Sequence, residues 1–479
     1  MQITTKQITA PTNSVSDKSF YKTFLDVSGV IRSTFVNRTP LLSVGARQFD
    51  VADIAALAVL SKTNTYLVGS RGTAKTLIGE TVLRSVFGDR GLYLRGDINM
   101  QLKDLLIKLN LDGKTEAEIQ GISENAQLNF ALVDELNRVP GVLQNQFLNI
   151  ADGYIEIRGR KYLLGSGYML MFATGNPPVD GEYTGAFDED LALLDRISLI
   201  LNLDEIELAK GDVFEIAERN MEKDKIVVKD MSEAVLRSYH HLRHAMETDV
   251  EMALTRSFLM EILYHSFRYV SIGGATVDKA TESGWRDRLT GEHSGGLTVS
   301  FCSDISIRML LHTARLAFAT YKIVEIESTL QSGSPIVARQ SASVMDFLDA
   351  YFGSLKLALS YDRRFIPTDL PKRLGKTHQQ MLDSAFADVR RTIDSALLVK
   401  AVTCLIDFAG FRKRSEYDNI NKLLKFIDDS LEAFPFLRVV HDIIDSKLRE
   451  DERDDRFQGL RMVAEGVHGG VPTADPDSV

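Results

Sequence analysis

Only two cysteines occur among 479 residues, Cys302 and Cys404, and neither has metal-ligand or disulfide spacing. That excludes a disulfide-stapled scaffold, and a reducing cytoplasm is the expected location. No run of 18 apolar residues is present, and the opening MQITTKQITAPTNSVSDKSF has no apolar stretch of signal-peptide length. Membrane insertion is therefore not expected. Positive charge is in the minority: 56 Lys and Arg against 66 Asp and Glu give a formal charge of −10. Such a balance argues against broad nucleic-acid binding. There is one tryptophan, Trp285, no internal repeat, and no D-x-S-x-S metal-dependent adhesion motif. The remainder, 44% hydrophobic and 25% charged, is ordinary for a globular chain. Its length leaves room for roughly two to four domains.

The most informative stretch is TYLVGSRGTAKT, residues 65–76. Tyr66, Leu67 and Val68 form an apolar strand that runs into a G-x-x-x-x-A-K-T loop, and a helix-forming segment follows from Leu77. This is the order of a phosphate-binding P-loop. A tight turn points the backbone N–H groups of Gly69, Ser70, Arg71, Gly72, Thr73, Ala74, Lys75, Thr76 and Leu77 toward phosphate oxygens, and the helix N-terminus adds its dipole. Lys75 is expected at the β/γ-phosphates of ATP, and the Thr76 hydroxyl on Mg²⁺. Ala74 stands where glycine is usual; an alanine is accommodated there while φ stays negative.

About sixty residues on, FALVDELNRVP (130–140) gives an apolar strand, Phe130 to Val133, ending in Asp134 and Glu135. Ligands of open α/β sheets bind at that strand edge. Asp134 is then a Mg²⁺ residue acting through water, and Glu135 orients or deprotonates the attacking water. The bland reading of the pair is a strand followed by an acidic helix cap. YMLMFATGNPP (168–178) is another apolar strand, and it ends at Asn176, which is placed to meet a γ-phosphate or simply to form a turn before Pro177. Alternation in YIEIRGRKYLL (154–164) predicts a hairpin turning at Gly159. Helices are expected between Phe49 and Leu60, from Leu102 to Leu109 and from Leu143 to Ile150. LALLDRISLIL (191–201) buries Asp195-Arg196 in an apolar segment, where a charged pair needs a partner or an interface.

Together the loop, ALVDELNR, the hairpin, ATGNP and LLDR resemble the AAA+ ATPases, and within them the MoxR group. That group also tolerates alanine before the P-loop lysine and has a D-E-x-N-R second motif, here Asp134-Glu135-Leu136-Asn137-Arg138. The resemblance covers about residues 45–205. It implies Mg²⁺-dependent ATP hydrolysis with Glu135, Asn176 and Arg196 as catalytic residues. Asn176 matches sensor 1, and Arg196 an arginine finger acting on a neighbour's ATP, which implies a homo-oligomeric, hexameric ring. The other reading of Arg196 is a salt bridge with Asp195 inside one chain. Ser306-Ile307-Arg308 is similar to the S-x-R sensor 2, whose arginine touches nucleotide from the lid; a surface arginine is the alternative. The family further implies a chaperone that remodels or activates a protein client, for instance in metal or cofactor insertion, and a von Willebrand type A partner supplied as a separate protein. A nucleic-acid motor or an NTP-dependent switch is the alternative function, disfavoured by the acidic balance.

The expected architecture is an α/β P-loop NTPase with a parallel sheet flanked by helices, then an all-helical lid and a further C-terminal helical region. Its limits are an N-terminal arm at 1–44, loose to about residue 20; the nucleotide-binding domain at 45–204; the lid at 205–366, with a flexible insertion near 271–300; helices at 367–457; and a disordered tail at 458–479. Stripes through Val235, Leu236, Tyr239 and Leu242, and through Leu348, Tyr351, Phe352, Leu355 and Leu359, are lid core.

Overall fold

The computed structural model describes residues 16–101, 114–115, 118, 128–157, 159–176, 196–221, 229–248, 256, 260, 306–332, 339–359, 380, 382–383 and 386. The expected helix at 102–109, the 271–300 insertion, Asp195 and the region beyond 386 lie outside the described residues.

Five strands form one parallel sheet in the order β4-β5-β8-β3-β9. They are β3 (Thr65–Val68), β4 (Gly91–Arg95), β5 (Phe130–Asp134), β8 (Leu170–Gly175) and β9 (Leu199–Asn202). Two antiparallel hairpins stand apart from it: β1 (Leu42–Val44) with β2 (Arg47–Phe49), and β6 (Tyr154–Ile157) with β7 (Arg160–Leu163). Central strands β3, β5 and β8 are buried at every position, which is why they read as unbroken apolar runs rather than alternating ones. Alternate residues serve opposite faces. Phe130 and Leu132 join one apolar core, Ala131 and Val133 the other.

Helix α4 (Gly141–Asp152) and the β6–β7 hairpin cover the second face. The first face is covered by α1 (Asp17–Thr34), α2 (Val51–Ser61), α3 (Lys75–Thr81, prolonged through a wide turn to Phe87), α6 (Ser232–Thr248), α7 (Ile307–Ser332) and α8 (Arg339–Leu359). A further amphipathic helix, α5 (Asp212–Met221), precedes α6. The described helices of the expected lid thus share one apolar core with the N-terminal helices and the sheet.

Residues 1–15 of the expected loose arm lie outside the described residues, and a helix, not anticipated from the sequence, begins at Asp17. Ser16 caps α1, accepting from the Ser19 N–H, and Phe20, Phe24, Val27 and Ile31 are fully buried at helical spacing. Polar side chains lock it to α2. The Ser28 hydroxyl donates to Asp53 at 2.7 Å, and Arg32 pairs with Asp53 at 2.6 Å and with Asp50 at 3.0 Å. Asp53 is nearly enclosed and so requires these partners. The apolar stripe was visible in the sequence beneath its Ser- and Thr-rich start.

Candidate functional site

β3 delivers the P-loop at the C-terminal edge of the sheet, with α3 starting at Lys75. The Lys75 ammonium donates to the carbonyls of Gly69 and Ser70 at 2.7 and 2.6 Å and reaches the Thr73 hydroxyl at 3.3 Å. Burial pulls its pKa down, opposed by the charges of Asp204, Asp134 and Glu135. Asp204, just beyond β9, accepts the Ser70 N–H on both carboxylate oxygens, at 2.9 and 2.7 Å, and the Ser70 hydroxyl at 2.8 Å. No motif marks Asp204, and only the pairing of β9 with β3 brings it here.

Ala74 departs from the conformation expected of it. Its φ is +62° and its ψ 22°, in the left-handed region, so the alanine occupies a glycine-type backbone instead of a negative-φ one. The clash of Cβ with the following carbonyl costs roughly 1–2 kcal/mol.

The acidic pair converges on the same edge. Asp134 Oδ1 accepts from the Thr76 hydroxyl at 2.9 Å and from the Thr174 hydroxyl at 2.6 Å; Oδ2 accepts from the Tyr93 hydroxyl at 2.9 Å. Thr174 also accepts the Glu135 N–H at 3.0 Å, so β8 holds both acidic residues. Glu135 sits at φ 57° and ψ 47°. It is held there because the Gly96 N–H donates to the Asp134 carbonyl at 2.7 Å, with the two backbones in close approach. A Cβ on Gly96 would lie 2.2 Å from the Glu135 carbonyl oxygen, so only glycine fits. The Glu135 carboxylate faces Arg138 at 3.4 Å and Arg95 at 3.7 Å. Asn176, at the end of β8, accepts on its carbonyl from the Asn137 amide at 3.1 Å. Asn137 is buried, and its Oδ1 has no hydrogen-bond partner among the described residues.

Among the described residues no group of three or more His, Cys, Asp or Glu could enclose a metal ion. Thr76 and Asp134 instead offer hard oxygens at the mouth of a loop with a glycine-type backbone. That donor set fits Mg²⁺ carried on phosphates, since this ion keeps several waters and takes few protein ligands.

Arg196 and Arg308 are not brought to this cradle. Arg196 precedes β9 and so lies at the opposite, N-terminal edge of the sheet. Its carbonyl accepts from Asn64 at 3.1 Å, and its Nε donates to Asp152, at the end of α4, at 2.7 Å. Arg308 lies one turn before His312, whose Nδ1 is 2.9 Å from the Ser198 hydroxyl, so it stands at that edge too. Burial and the cations Arg315, Arg308, Lys62 and Arg196 lower the His312 pKa to about 3. Lys62, which donates to the Gly167 carbonyl at 3.0 Å, is brought down to about 8 by burial and by Arg315 and Arg243. Reasoning from sequence missed Tyr93, Asp204 and Asp152, which lie apart from any motif, and gave no role to Thr174 within ATGNP.

A parallel sheet with a P-loop after its β3 strand and an acidic pair at the end of β5, flanked by helices on both faces, is the arrangement of a P-loop nucleotide-binding fold. A stretch of 154 residues is 32% identical to the protein named Chaperone MoxR1 of Mycobacterium tuberculosis, over 31% of this chain. The matched part spans 38% of that relative's length. The motifs at 65–76 and 130–138 are similar to those of MoxR-type AAA+ proteins, and this partial match agrees with that likeness. No protein-family model matches the chain. Two solved structures are loosely similar. One is a provisionally assigned ATPase of Cytophaga hutchinsonii (15% identity, TM-score 0.43, covering 78% of this chain and 96% of that one). The other is a full-length MCM homologue of Methanopyrus kandleri (15% identity, TM-score 0.33, covering 73% and 63%).

Proposed function

We propose that the chain binds ATP with Mg²⁺ and hydrolyses it, and that in a homo-oligomeric ring this work remodels or activates a protein client. The observation that carries the reading is the 2.9 Å contact between Thr76 and Asp134, which joins the P-loop to the second motif with Glu135 alongside. Bound Mg²⁺ supplies positive charge to the phosphate oxygens. Lys75 then neutralises the β/γ-phosphates from its seat on the Gly69 and Ser70 carbonyls. Glu135 accepts the proton of the attacking water, its carboxylate aimed by Arg95 and Arg138. Asn176, tied by Asn137, faces the γ-phosphate. Arg196, directed away from its own cradle, acts on the nucleotide of an adjoining copy, which makes a ring of six the natural assembly.

The cytoplasmic setting rests on the scarcity of cysteine, and the chaperone role, a client undergoing metal or cofactor insertion, and a separate von Willebrand type A partner rest on the family resemblance. The chaperone name of the mycobacterial relative agrees with it. Among the described residues, no helix is long and apolar enough to cross a membrane.

Two substitutions test the chemistry. Lys75→Ala is expected to abolish nucleotide binding. Glu135→Gln is expected to bind ATP and to hydrolyse it at least about 10²-fold more slowly, the scale of a lost general base. Unchanged phosphate release by Glu135→Gln would sink the assignment, and a pull-down with this variant shows whether protein or nucleic acid is retained.

A further inference from the structure

We propose that Tyr93 is a positioning residue for the metal-holding carboxylate, fixing the plane of Asp134 so that its free lone pairs face metal-bound water. The inference rests on the nucleotide-site reading above and adds a residue outside every P-loop motif.

Three hydroxyls meet Asp134, but they divide unequally. Thr76 and Thr174 both donate to Oδ1, while Tyr93 alone among the described residues donates to Oδ2. Rotation about the Cβ–Cγ bond carries both oxygens through the same arc, and the two threonine bonds resist it from one side of that axis only. The Tyr93 bond adds a restraint on the opposite side. β4 pairs with β5 in register, Tyr93 opposite Leu132 and Arg95 opposite Asp134, so the phenol reaches Asp134 from two residues back along the neighbouring strand. An aromatic ring has only two side-chain torsions to fix, and Tyr93 packs against the core of the first face, so the donor is held at low entropic cost.

The phenol's state suits the role. A phenol with tyrosine's ordinary pKa of about 10 is protonated at neutral pH and donates the bond seen to Asp134. Partners that orient a metal-holding carboxylate usually contribute about 10- to 100-fold to metal affinity. Asp134 would act through water, so the lower end of that range is expected here.

The experiment uses full-length Tyr93→Phe, which keeps the ring and removes the donor. Affinity for a non-hydrolysable ATP analogue is measured by fluorescent-nucleotide displacement across a Mg²⁺ titration, beside phosphate release. Half-saturating Mg²⁺ should rise about tenfold in both assays. Analogue affinity in EDTA and turnover at saturating Mg²⁺ should each stay within about twofold of wild type. Should the Phe variant fail to fold, Tyr93→Leu takes the same measurement with the same expectation. An unshifted Mg²⁺ midpoint, or a fall in turnover that saturating Mg²⁺ does not repair, overturns the role of Tyr93 alone. A wild-type protein whose nucleotide affinity ignores Mg²⁺ overturns the nucleotide-site reading with it.

Discussion

The two edges of the one parallel sheet are built on opposite principles. At the C-terminal edge, hydroxyls donate to Asp134, the Ser70 N–H and hydroxyl donate to Asp204, and backbone carbonyls hold one deeply set lysine, Lys75. At the N-terminal edge, cations crowd a buried neutral imidazole: Lys62, Arg196, Arg308 and Arg315 all depress His312. The first is an arrangement for holding a polyanion and its metal. The second is an excess of positive charge near Asp152, suited to meeting anionic oxygens from outside the chain. Parallel strands force this separation, since loops after the strands and loops before them cannot meet. On the proposed function, the two edges of one copy would be the two halves of a site that a neighbouring copy closes.

The sharpest attack on that contrast is Arg196→Ala. ATP binding should persist, because Lys75 and the loop are untouched, while hydrolysis falls by about 10³-fold or more, the scale of an arginine finger. Mixed with inactive Glu135→Gln, it should regain activity at interfaces that pair an intact Glu135 with an intact Arg196. Mixed rings that stay inactive would remove the trans assignment. The ion pair with Asp152 is partly exposed, at 17% and 28% for the two side chains, so its loss should cost less than about 1 kcal/mol in a denaturant melt.

A smaller effect tests the charge of the N-terminal edge. The His312 pKa in the folded chain, about 3, lies below its ordinary 6.5, so the unfolded chain takes up a proton that the folded one refuses. Stability from this group is complete above about pH 6.5 and falls as the pH drops toward 3. Its slope is at most about 1.4 kcal/mol per pH unit. His312→Gln should flatten that part of the acid limb in urea melts taken between pH 4 and 7. An identical acid limb in the two proteins would show that the imidazole is not held neutral by its surroundings.

The smallest effect belongs to the P-loop. Ala74→Gly removes a Cβ from a left-handed residue, and glycine's added freedom in the unfolded chain offsets part of the gain. A net stabilisation of up to about 1 kcal/mol is expected, with nucleotide binding retained. A loss of stability would mean that the methyl group contributes packing worth more than its strain.

These edges also differ in how far they could be read from the chain alone. Gly69 to Leu77, Asp134 with Glu135, and Asn176 belong to contiguous motifs whose spacing is imposed by the chemistry, and the structure brings them together. The unbroken apolar runs at 65–68, 130–134 and 170–175 announced central strands for the same reason. Tyr93 and Asp204 were illegible because each acts through strand register, which no local pattern encodes, and Thr174, though inside ATGNP, takes its role from the same register. Asp152 was missed as the partner of Arg196 because it closes a contact between α4 and the approach to β9; the nearer Asp195 drew attention instead. α1 was legible but passed over, since the stripe of Phe20, Phe24, Val27 and Ile31 begins where the polar start ends. At Ala74, residue type suggested negative φ, and the loop's demand for a left-handed turn prevailed.

The carboxylate of Asp204 on Ser70 bears on how nucleotide would arrive. Ser70 is clamped from β9, the Thr73 hydroxyl donates to the Ser70 carbonyl at 2.9 Å, and Lys75 sits on two carbonyls, so the loop is tied by its own hydrogen bonds. Binding then need not supply the ordering entropy of a floppy loop, roughly 1–2 kcal/mol for each residue fixed. ATP would meet a preformed anion seat, and calorimetry should record association without the large negative heat-capacity change that accompanies folding on binding.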